Sequence, residues 1–431
     1  MTLCRRRQKK GNIHLDGLHH PDFSAVETSL RRQLERYSGG AAVCVYHHGK
    51  CVVDLWGGHS DEEETPWQQD TMAPSFSTTK GVASTLLHIF ADRGLVDYDA
   101  KVSEYWPEFA QAGKDQITVR QVLCHQSGLY HIRQMIDRAD RMLDWEHMVE
   151  AIEQTEPAHE PGTRTGYHGL TYGYIVGEII QRISGERFSD LVQSEIAEPL
   201  GLDGLFIGTP EHELSRAAKL ILPQTTRNLA QTSLGHYLER SAAGVSKLLR
   251  GMRIDSDLTS IFDALAPRGI SDFDFGSPES LRVAIPAGNG LFTARSLAKM
   301  YALLAAGGAL DGVRLLSEKT VEQAATVEPP TGKHSVIPFD MRWRLGYHGI
   351  VTSRGFPGQA FGHFGFGGSG AWADPSLDLA VAMIVNSGMG TPFGDTRTAR
   401  ISGAALASAR NRDKQGRGLF GGRGSPSLIA G

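Results

Sequence analysis

FSTTKG, at residues 76–81, is the most informative segment of this sequence. Ser77 and Lys80 stand three positions apart, so on a helix they share a face and their side chains can meet. A serine hydroxyl is a weak nucleophile at neutral pH and needs a neighbouring base or cation, which a lysine at this spacing supplies. The first turn of a helix also presents backbone N–H groups where a substrate oxyanion would develop. The segment predicts a serine hydrolase with Ser77 as nucleophile and Lys80 as its activating partner.

The residues after FSTTKG have the periodicity of an amphipathic helix closed by a glycine C-cap. The apolar positions and the cap are Val82, Leu86, Ile89, Phe90 and Gly94. The S-x-x-K spacing alone is weak, because a chain of this length holds about one such match by chance. Residues 296–299 (SLAK) are one, and there the pattern indicates a helix start with an exposed lysine. For Ser77 the alternative is an ordinary N-cap serine.

Strands are expected towards both ends of the chain, with helices between them. Residues 41–46 (AAVCVY) and 51–56 (CVVDLW) are Val-rich runs separated by HHGK, which is typical of a hairpin, and residues 377–385 (LDLAVAMIV) form a third run. Helical periodicity lies within residues 24–40 and near residues 118–124, 170–183, 188–196 and 294–304. This order predicts an α/β domain interrupted by a mainly helical insertion.

The domain boundaries follow from the same pattern. We expect residues 21–75 and 285–410 to form the discontinuous α/β domain and residues 76–284 the helical one, with the site in the cleft between them. Residues 1–20, with the basic run RRRQKK, and residues 411–431 are expected to be flexible tails. Residues 215–285 have weak periodicity and allow little assignment.

Several segments carry a resemblance to a known family. FSTTKG is followed in order by TVRQVLCHQSGL, PGTRTGYHG, EPLGL and GHFGFGGSG, which begin at residues 118, 161, 198 and 362. In these motifs and their order, the chain resembles the serine beta-lactamase and penicillin-binding-protein superfamily. Within it, the chain is most similar to the family VIII carboxylesterases and other esterases related to class C beta-lactamases. The resemblance implies a beta-lactamase/transpeptidase-like fold of the α+β type, with a central antiparallel sheet flanked by helices.

The family's Y-x-N motif corresponds here to Tyr167-His168-Gly169. The resemblance implies that Tyr167 is the general base. A phenol with its ordinary pKa near 10 is too weakly acidic for this role unless a cation favours the phenolate, so we expect Lys80 beside it. The alternative is a tyrosine packed at the start of the next helix. Gly169 lacks the amide of the family's Asn, which argues against efficient beta-lactam hydrolysis but leaves ester cleavage unaffected.

The family's K-T-G motif corresponds to His363-Phe364-Gly365, an H-x-G variant familiar in the esterase branch. His363 replaces a fixed cation with a titratable group and is expected to hydrogen-bond Tyr167 or the Ser77 hydroxyl. The resemblance implies that the backbone N–H of Phe366 pairs with that of Ser77 as an oxyanion hole, with Gly365 in the same substrate-binding turn. The alternative is a histidine that closes a glycine-rich turn without chemistry. His125, in CHQSGL, is expected to be structural.

Composition excludes several classes of function. Lys and Arg total 44 against 48 Asp and Glu, and a net charge of −4 gives no field that favours nucleic acid or an anionic membrane. No apolar run reaches the roughly 18 residues of a membrane span, and the basic start lacks the apolar segment of a secretory signal. With four cysteines and no C-x-x-C spacing, a cytoplasmic protein is expected.

No cofactor or metal is expected. The histidines at 14, 19 and 20 and the pair His47 and His48 have no carboxylate or cysteine partner at metal-ligand spacing, which favours solvated loop side chains. The expected partner is a small-molecule ester, and the oligomeric state stays open.

These features predict a serine carboxylesterase that hydrolyses short-chain acyl esters through an acyl-enzyme on Ser77. A beta-lactamase or D-peptidase, and an acyltransferase that passes the acyl group to an alcohol, would use the same residues and are alternatives. A catalytically inactive binding protein is the alternative from another class.

Overall fold

The computed structural model of the protein describes residues 14–221, 258–337, 339–387 and 396–420. The strands of these residues are β1 Leu15–His19, β2 Gly40–His47, β3 Lys50–Gly58, β4 Ala73–Pro74, β5 Thr165–Gly166, β6 Leu205–Phe206, β7 Leu291–Phe292, β8 Ala309–Leu310, β9 Val313–Arg314, β10 His334–Ser335, β11 His348–Gly349, β12 Phe361–Phe364, β13 Gly370–Asp374 and β14 Leu379–Val385.

The α-helices of the same residues are α1 Ser24–Leu34, α2 Thr79–Asp92, α3 Val102–Tyr105, α4 Val119–Leu123, α5 Ile132–Met135, α6 Trp145–Gln154, α7 Thr171–Ser184, α8 Phe188–Val192, α9 Glu198–Leu200, α10 Leu258–Leu265, α11 Pro278–Arg282, α12 Ala294–Ala305, α13 Glu318–Ala325 and α14 Thr396–Phe420. Most helices of the described residues therefore lie between β3 and β11.

Seven strands form one sheet in the order β1-β3-β2-β14-β13-β12-β11, and every neighbouring pair is antiparallel. The sheet joins both ends of the chain, because β14 lies between β2 and β13. Val43 of β2, for example, pairs with Leu55 on one side and Met383 on the other. The predicted fold, a central antiparallel sheet with helices around it, is confirmed.

The central strands are apolar throughout because both faces of the sheet are covered. Along β14, Ala380, Ala382 and Ile384 belong to one buried cluster, and the alternate residues, such as Val381 and Met383, belong to another. Helices α1 and α14 pack on the second face, whereas α12 packs on the first. A strand buried on both faces reads as a continuous apolar run, which explains LDLAVAMIV.

Helix α2 is the element that connects the helical half of the molecule to the sheet. It contacts α7 and α8 among the helices and β12 in the sheet, and nearly all of its residues are buried. The predicted helix after FSTTKG is confirmed, and Gly94 ends it with φ +72°. Because the turn that carries Ser77 leads into this helix, the predicted nucleophile lies where the helices meet the sheet.

Two predicted tails are shorter than expected. Residues 15–19 form the edge strand β1, which pairs with β3 from Leu15↔Gly57 to His19↔Val53. LDGLH has no alternating pattern because the side chains of this edge strand are mostly exposed and only its backbone is paired. At the other end, α14 continues past residue 410 to Phe420. Residues 1–13, 222–257 and 421–431, which include parts of both tails and of the region with weak periodicity, lie outside the described residues.

Candidate active site

Ser77 lies in a single 3-10 turn, Phe76–Thr78, that leads into α2. Phe76 has φ +45°, a left-handed conformation that costs a residue other than glycine roughly 1–3 kcal/mol and is often found at functional sites. The turn is fixed from two sides: the Thr79 hydroxyl donates to the Phe76 carbonyl at 2.5 Å and accepts from the Gly290 N–H at 2.9 Å. These bonds hold the half-buried Ser77 side chain at the helix N-terminus.

The Lys80 side chain is fully buried, and its ammonium group meets three oxygens. Nζ donates to Ser77 Oγ at 3.1 Å, to the Gly169 carbonyl at 2.7 Å and to the Ala287 carbonyl at 3.0 Å. Burial lowers the pKa of Lys80 well below its usual value, because the charged form is poorly solvated there. The structure therefore brings the two residues of the S-x-x-K motif into contact.

Tyr167 lies beside Lys80, as its role as a base would require. Lys80 Nζ is 5.1 Å from the centroid of the Tyr167 ring. Burial raises the pKa of Tyr167 well above its ordinary value, and the Ser77 hydroxyl opposes this rise only in part. The phenol oxygen is buried and makes no hydrogen bond of good geometry within the described part of the chain, so its interaction with Ser77 is loose. Tyr167 thus presents a hydroxyl without a hydrogen-bond partner in the described residues next to Ser77 and Lys80.

Two aromatic side chains hold the Tyr167 ring. Trp343 stacks on it with centroids 5.8 Å apart and planes at 17°, and His125 packs against it at 4.8 Å. His125 also contacts Trp343 edge-on at 4.4 Å. Neither His125 nor Trp343 was among the predicted site residues. CHQSGL was a sequence signal for His125, whereas Trp343 had none.

A pair of neutral histidines fixes the loop that carries Tyr167. His168 Nε2 accepts from the Leu129 N–H at 3.2 Å and from the Ser127 hydroxyl at 2.7 Å. Its other ring nitrogen lies 3.1 Å from His125 Nδ1, which also accepts from the His168 backbone N–H at 3.2 Å. Burial lowers the pKa of His168 to about 3 and that of His125 well below its usual value. Both rings therefore serve as uncharged hydrogen-bonding supports.

Gly169 could not be replaced by a larger residue without moving its neighbours. A Cβ atom here would lie 2.4 Å from Leu265 Cδ2 and 2.7 Å from the Ala264 carbonyl oxygen. The last residues of α10 thus occupy the space where the family's Asn side chain would begin. The departure from the Y-x-N motif has a packing reason that the sequence did not show.

His363 lies on β12 near this group, but not with the predicted partner. Its Nδ1 hydrogen-bonds the Phe364 carbonyl at 2.9 Å, and its ring centroid is 6.4 Å from that of Tyr167. Nε2 is buried without a hydrogen-bond partner in the described residues, so the expected bond to Tyr167 or Ser77 is not formed. Because a carbonyl can only accept, Nδ1 holds the proton and Nε2 is a free acceptor. Burial lowers the pKa of His363 well below its usual value and keeps the ring uncharged.

The turn after β12 approaches the Ser77 turn closely. A Cβ on Gly365 would lie 2.2 Å from the Ser75 carbonyl oxygen and 2.8 Å from Thr78 Oγ1, so only glycine allows this approach. Phe366 follows, and its ring meets that of Phe76 edge-on at 5.5 Å. The ring of Phe275 also contacts that of Phe76, with centroids 5.5 Å apart. An aromatic rim, Phe76, Phe275 and Phe366, therefore borders the Ser77 turn.

The second S-x-x-K match has a structural role. The Ser296 hydroxyl donates to Asp203 at 3.0 Å and accepts from the Gly204 N–H at 3.1 Å. Lys299 is not the exposed side chain that we expected: it is 24% exposed and donates to the Leu200 carbonyl at 2.8 Å. Lys299 thus joins α12 to the end of α9 and Ser296 joins it to the residues that follow, and neither contacts the Ser77 group.

The expectation of solvated histidines at the hairpin is wrong for His47, which is buried. Asp413 of α14 lies 3.3 Å from its Nε2, a carboxylate partner that sequence spacing could not reveal.

A separate expectation concerned membranes. Among the described residues, no helix combines the length and the apolar character that crossing a bilayer requires.

Comparison with known proteins places these observations in context. The family model described as Beta-lactamase matches residues 26–406. The esterase/beta-lactamase LipL of Mycobacterium tuberculosis is 35% identical over 378 residues, which cover 86% of this chain and 82% of LipL. Among solved structures, a family VIII carboxylesterase is 30% identical with a TM-score of 0.78, covering 92% of this chain and all of that one. A penicillin-binding-protein homologue from Caulobacter crescentus is 33% identical with a TM-score of 0.75 and the same coverage.

Proposed function

Because this chain belongs to the beta-lactamase family and is a serine hydrolase of that fold, we propose that it is a carboxylesterase for uncharged, short-chain acyl esters. Ser77 would form the acyl-enzyme, and water would release the acid. The similarity to a family VIII carboxylesterase along the whole of that chain supports this choice.

The state of His363 is the observation that carries the proposal. Its Nε2 is an uncharged acceptor, and a lone pair repels a carboxylate rather than binding it. Beta-lactams and cell-wall peptides carry a carboxylate, whose removal from water has to be compensated by a cation or by donors. A neutral ester has no such requirement, and its alcohol or acyl chain can contact the aromatic rim.

We assign the removal of the Ser77 proton to Lys80 and Tyr167 as a pair. Burial opposes the ammonium form of Lys80 and the phenolate form of Tyr167, so the pair favours its uncharged state. In that state two N–H groups of Lys80 still reach the carbonyls of Gly169 and Ala287, and its lone pair is free for Ser77 Oγ. Because the two groups are coupled, we assign the proton taken from Ser77 to the pair of Lys80 and Tyr167 and not to either residue alone.

The rest of the reaction uses groups close to this pair. As Ser77 Oγ attacks the ester carbonyl, the backbone N–H groups of Ser77 and Phe366 would donate to the tetrahedral oxyanion. The Tyr167 hydroxyl, which has no strong partner of its own, would return the proton to the departing alkoxide. The same groups would then activate a water molecule, which attacks the acyl group on Ser77 and releases the acid.

The test is a series of p-nitrophenyl esters of increasing acyl length, assayed beside the chromogenic beta-lactam nitrocefin. We expect the highest kcat/KM on short acyl chains and a much lower value on nitrocefin. Ser77→Ala should lose the acylation burst and at least about 10³-fold of the turnover. Ser296→Ala is the matched control, because it removes the serine of the other S-x-x-K match and should retain activity.

Two outcomes would contradict the proposal. Undiminished ester turnover by folded Ser77→Ala would falsify the choice of nucleophile. A wild-type kcat/KM for nitrocefin equal to that for the best ester would favour the beta-lactamase alternative. The relative LipL is named as both an esterase and a beta-lactamase. Transfer to an alcohol instead of water would appear as a new ester when acceptors are added.

A further inference from the structure

A second group of chemically active side chains lies at the turn between β2 and β3. His47 ends β2, His48 starts the turn, and Asp413 comes from α14. Side chains two apart on a strand share a face, and His47 contacts Phe23 on the face covered by α1 and α14. Helix α2 and the catalytic group lie on the other face, so this cluster is separate from the active site.

The backbone of the turn places the two histidine rings together. Successive residues in a strand point to opposite faces. His48 leaves the strand with φ +51°, and Gly49 follows with φ +66°, as in a type I′ hairpin turn. As a result the two rings lie only 4.0 Å apart, centroid to centroid.

The distances between the three side chains match those between ligands of one metal ion. Asp413 Oδ1 lies 3.3 Å from His47 Nε2 and 2.9 Å from His48 Nε2, and one ligand atom from each residue lies within 4.8 Å of the others. In a tetrahedral zinc site with bonds of about 2.1 Å, neighbouring ligand atoms are about 3.4 Å apart. The cluster therefore needs little rearrangement to surround an ion.

The burial of His47 is a second, independent observation. Its side chain has no exposed surface, yet neither ring nitrogen makes a hydrogen bond within the described part of the chain. The contact with Asp413 at 3.3 Å does not have hydrogen-bond geometry. Buried polar atoms without partners are rare, and one reason for them is a missing ion. A metal on Nε2 would supply the partner.

We propose that His47 Nε2, His48 Nε2 and a carboxylate oxygen of Asp413 bind a divalent transition metal that stabilises the fold, with water as a fourth ligand. Two imidazoles and a carboxylate suit Zn²⁺ and its substitute Co²⁺. Metal binding would move the His48 proton from Nε2 to Nδ1, where Asp378 Oδ2 lies 3.7 Å away. Such a carboxylate is the usual outer partner of a metal-bound histidine. The ion would join residue 47 to residue 413 and so attach α14 to the hairpin.

The test uses the full chain, stripped with EDTA and titrated with Zn²⁺ by calorimetry and with Co²⁺ by visible absorption. We expect one equivalent to bind, the Co²⁺ complex to show the intense bands of tetrahedral coordination, and Zn²⁺ to raise Tm. His48→Asn keeps a residue that tolerates positive φ, and Asp413→Asn keeps the shape of the side chain. Each should weaken binding by at least about 10-fold and remove most of the shift in Tm. His212→Asn, at a side chain that is 78% exposed, is the matched control and should bind as the wild type does.

The outcomes are decisive in either direction. No saturable binding by the wild type, or equal binding by the wild type and both ligand variants, would overturn the site. Because the cluster lies outside the catalytic group, EDTA should leave the rate of ester hydrolysis unchanged at temperatures where the protein is folded. A loss of that rate without a change in Tm would also contradict a structural role.

Discussion

Buried histidines should make this protein unstable in mild acid, and His88 shows by how much. His88 lies fully buried in α2, where Nε2 donates to the Leu345 carbonyl at 3.0 Å and Nδ1 accepts from the Tyr98 hydroxyl at 2.7 Å. Burial lowers its pKa from 6.5 to about 4. Between these values the unfolded chain binds a proton that the native state does not, so stability falls as pH falls from 6.5 towards 4.

The loss of stability at a given pH follows from how far that pH lies below the pKa of the histidine in the unfolded chain. At pH 5.5, one unit below 6.5, a histidine that stays neutral in the native state costs about 1.4 kcal/mol of stability. Burial also lowers the pKa of His168 to about 3 and that of His348 to about 4, so each adds a similar amount. The three together cost about 4 kcal/mol, a large part of the roughly 5–15 kcal/mol that stabilises most proteins.

Urea unfolding at pH 7.5 and 5.5, followed by circular dichroism, measures this cost. The quantity compared is the loss of unfolding free energy between the two pH values. In His88→Gln we expect this loss to be smaller than in the wild type by about 1.4 kcal/mol, even if the variant is less stable at both pH values. His212→Gln, at an exposed side chain, should show the wild-type loss. An equal loss in His88→Gln and the wild type would refute the argument that this buried ring stays neutral.

Two further predictions concern the catalytic group. Gly169→Asn restores the family's Y-x-N motif, but its Cβ would meet Leu265 and the Ala264 carbonyl within 3 Å. We therefore expect the kcat/KM for esters to fall roughly 100-fold and the kcat/KM for nitrocefin not to rise. A rise for nitrocefin would show that α10 moves to make room for the asparagine. The kcat/KM for esters should rise with pH as the pair of Lys80 and Tyr167 loses a proton. Because burial lowers the pKa of Lys80, we expect the rise to end at a pH below 10.5, the ordinary pKa of lysine. Lys80→Arg, which cannot lose its proton, should be inactive across the pH profile, and a normal profile would exclude Lys80 from the base.

Much of the fold could be predicted because its signals are local. The spacing of Ser77 and Lys80, the run LDLAVAMIV and the hairpin around HHGK each depend on neighbours a few residues apart, and the structure forms the expected element at each. The order of motifs added Tyr167 through resemblance, and the structure places it beside Lys80. The roles of these side chains in catalysis stay proposals until the variants are assayed.

The surroundings of the site could not be predicted because they depend on contacts between distant segments. Trp343 stacks on Tyr167 from 176 positions further along the chain, and Leu265 fills the space beside Gly169. His363 was expected to bond a side chain, but its ring is turned so that Nδ1 bonds the carbonyl of the next residue. Edge strand β1 was missed because pairing of its backbone, and not an apolar pattern, holds it in the sheet.

The position of β14 between β2 and β13 has a consequence for synthesis. β2, β3 and the turn of Ser77 emerge from the ribosome long before residues 379–385, so the growing chain carries Ser77 while the centre of the sheet is still missing. The residues opposite Ser77, from His363 to Phe366, also emerge late. Since domains fold as units once their sequence is available, the nascent chain cannot assemble its cleft until residues 379–385 have left the ribosome. The side chains around Ser77 are therefore brought together only after the central strand β14 has been made.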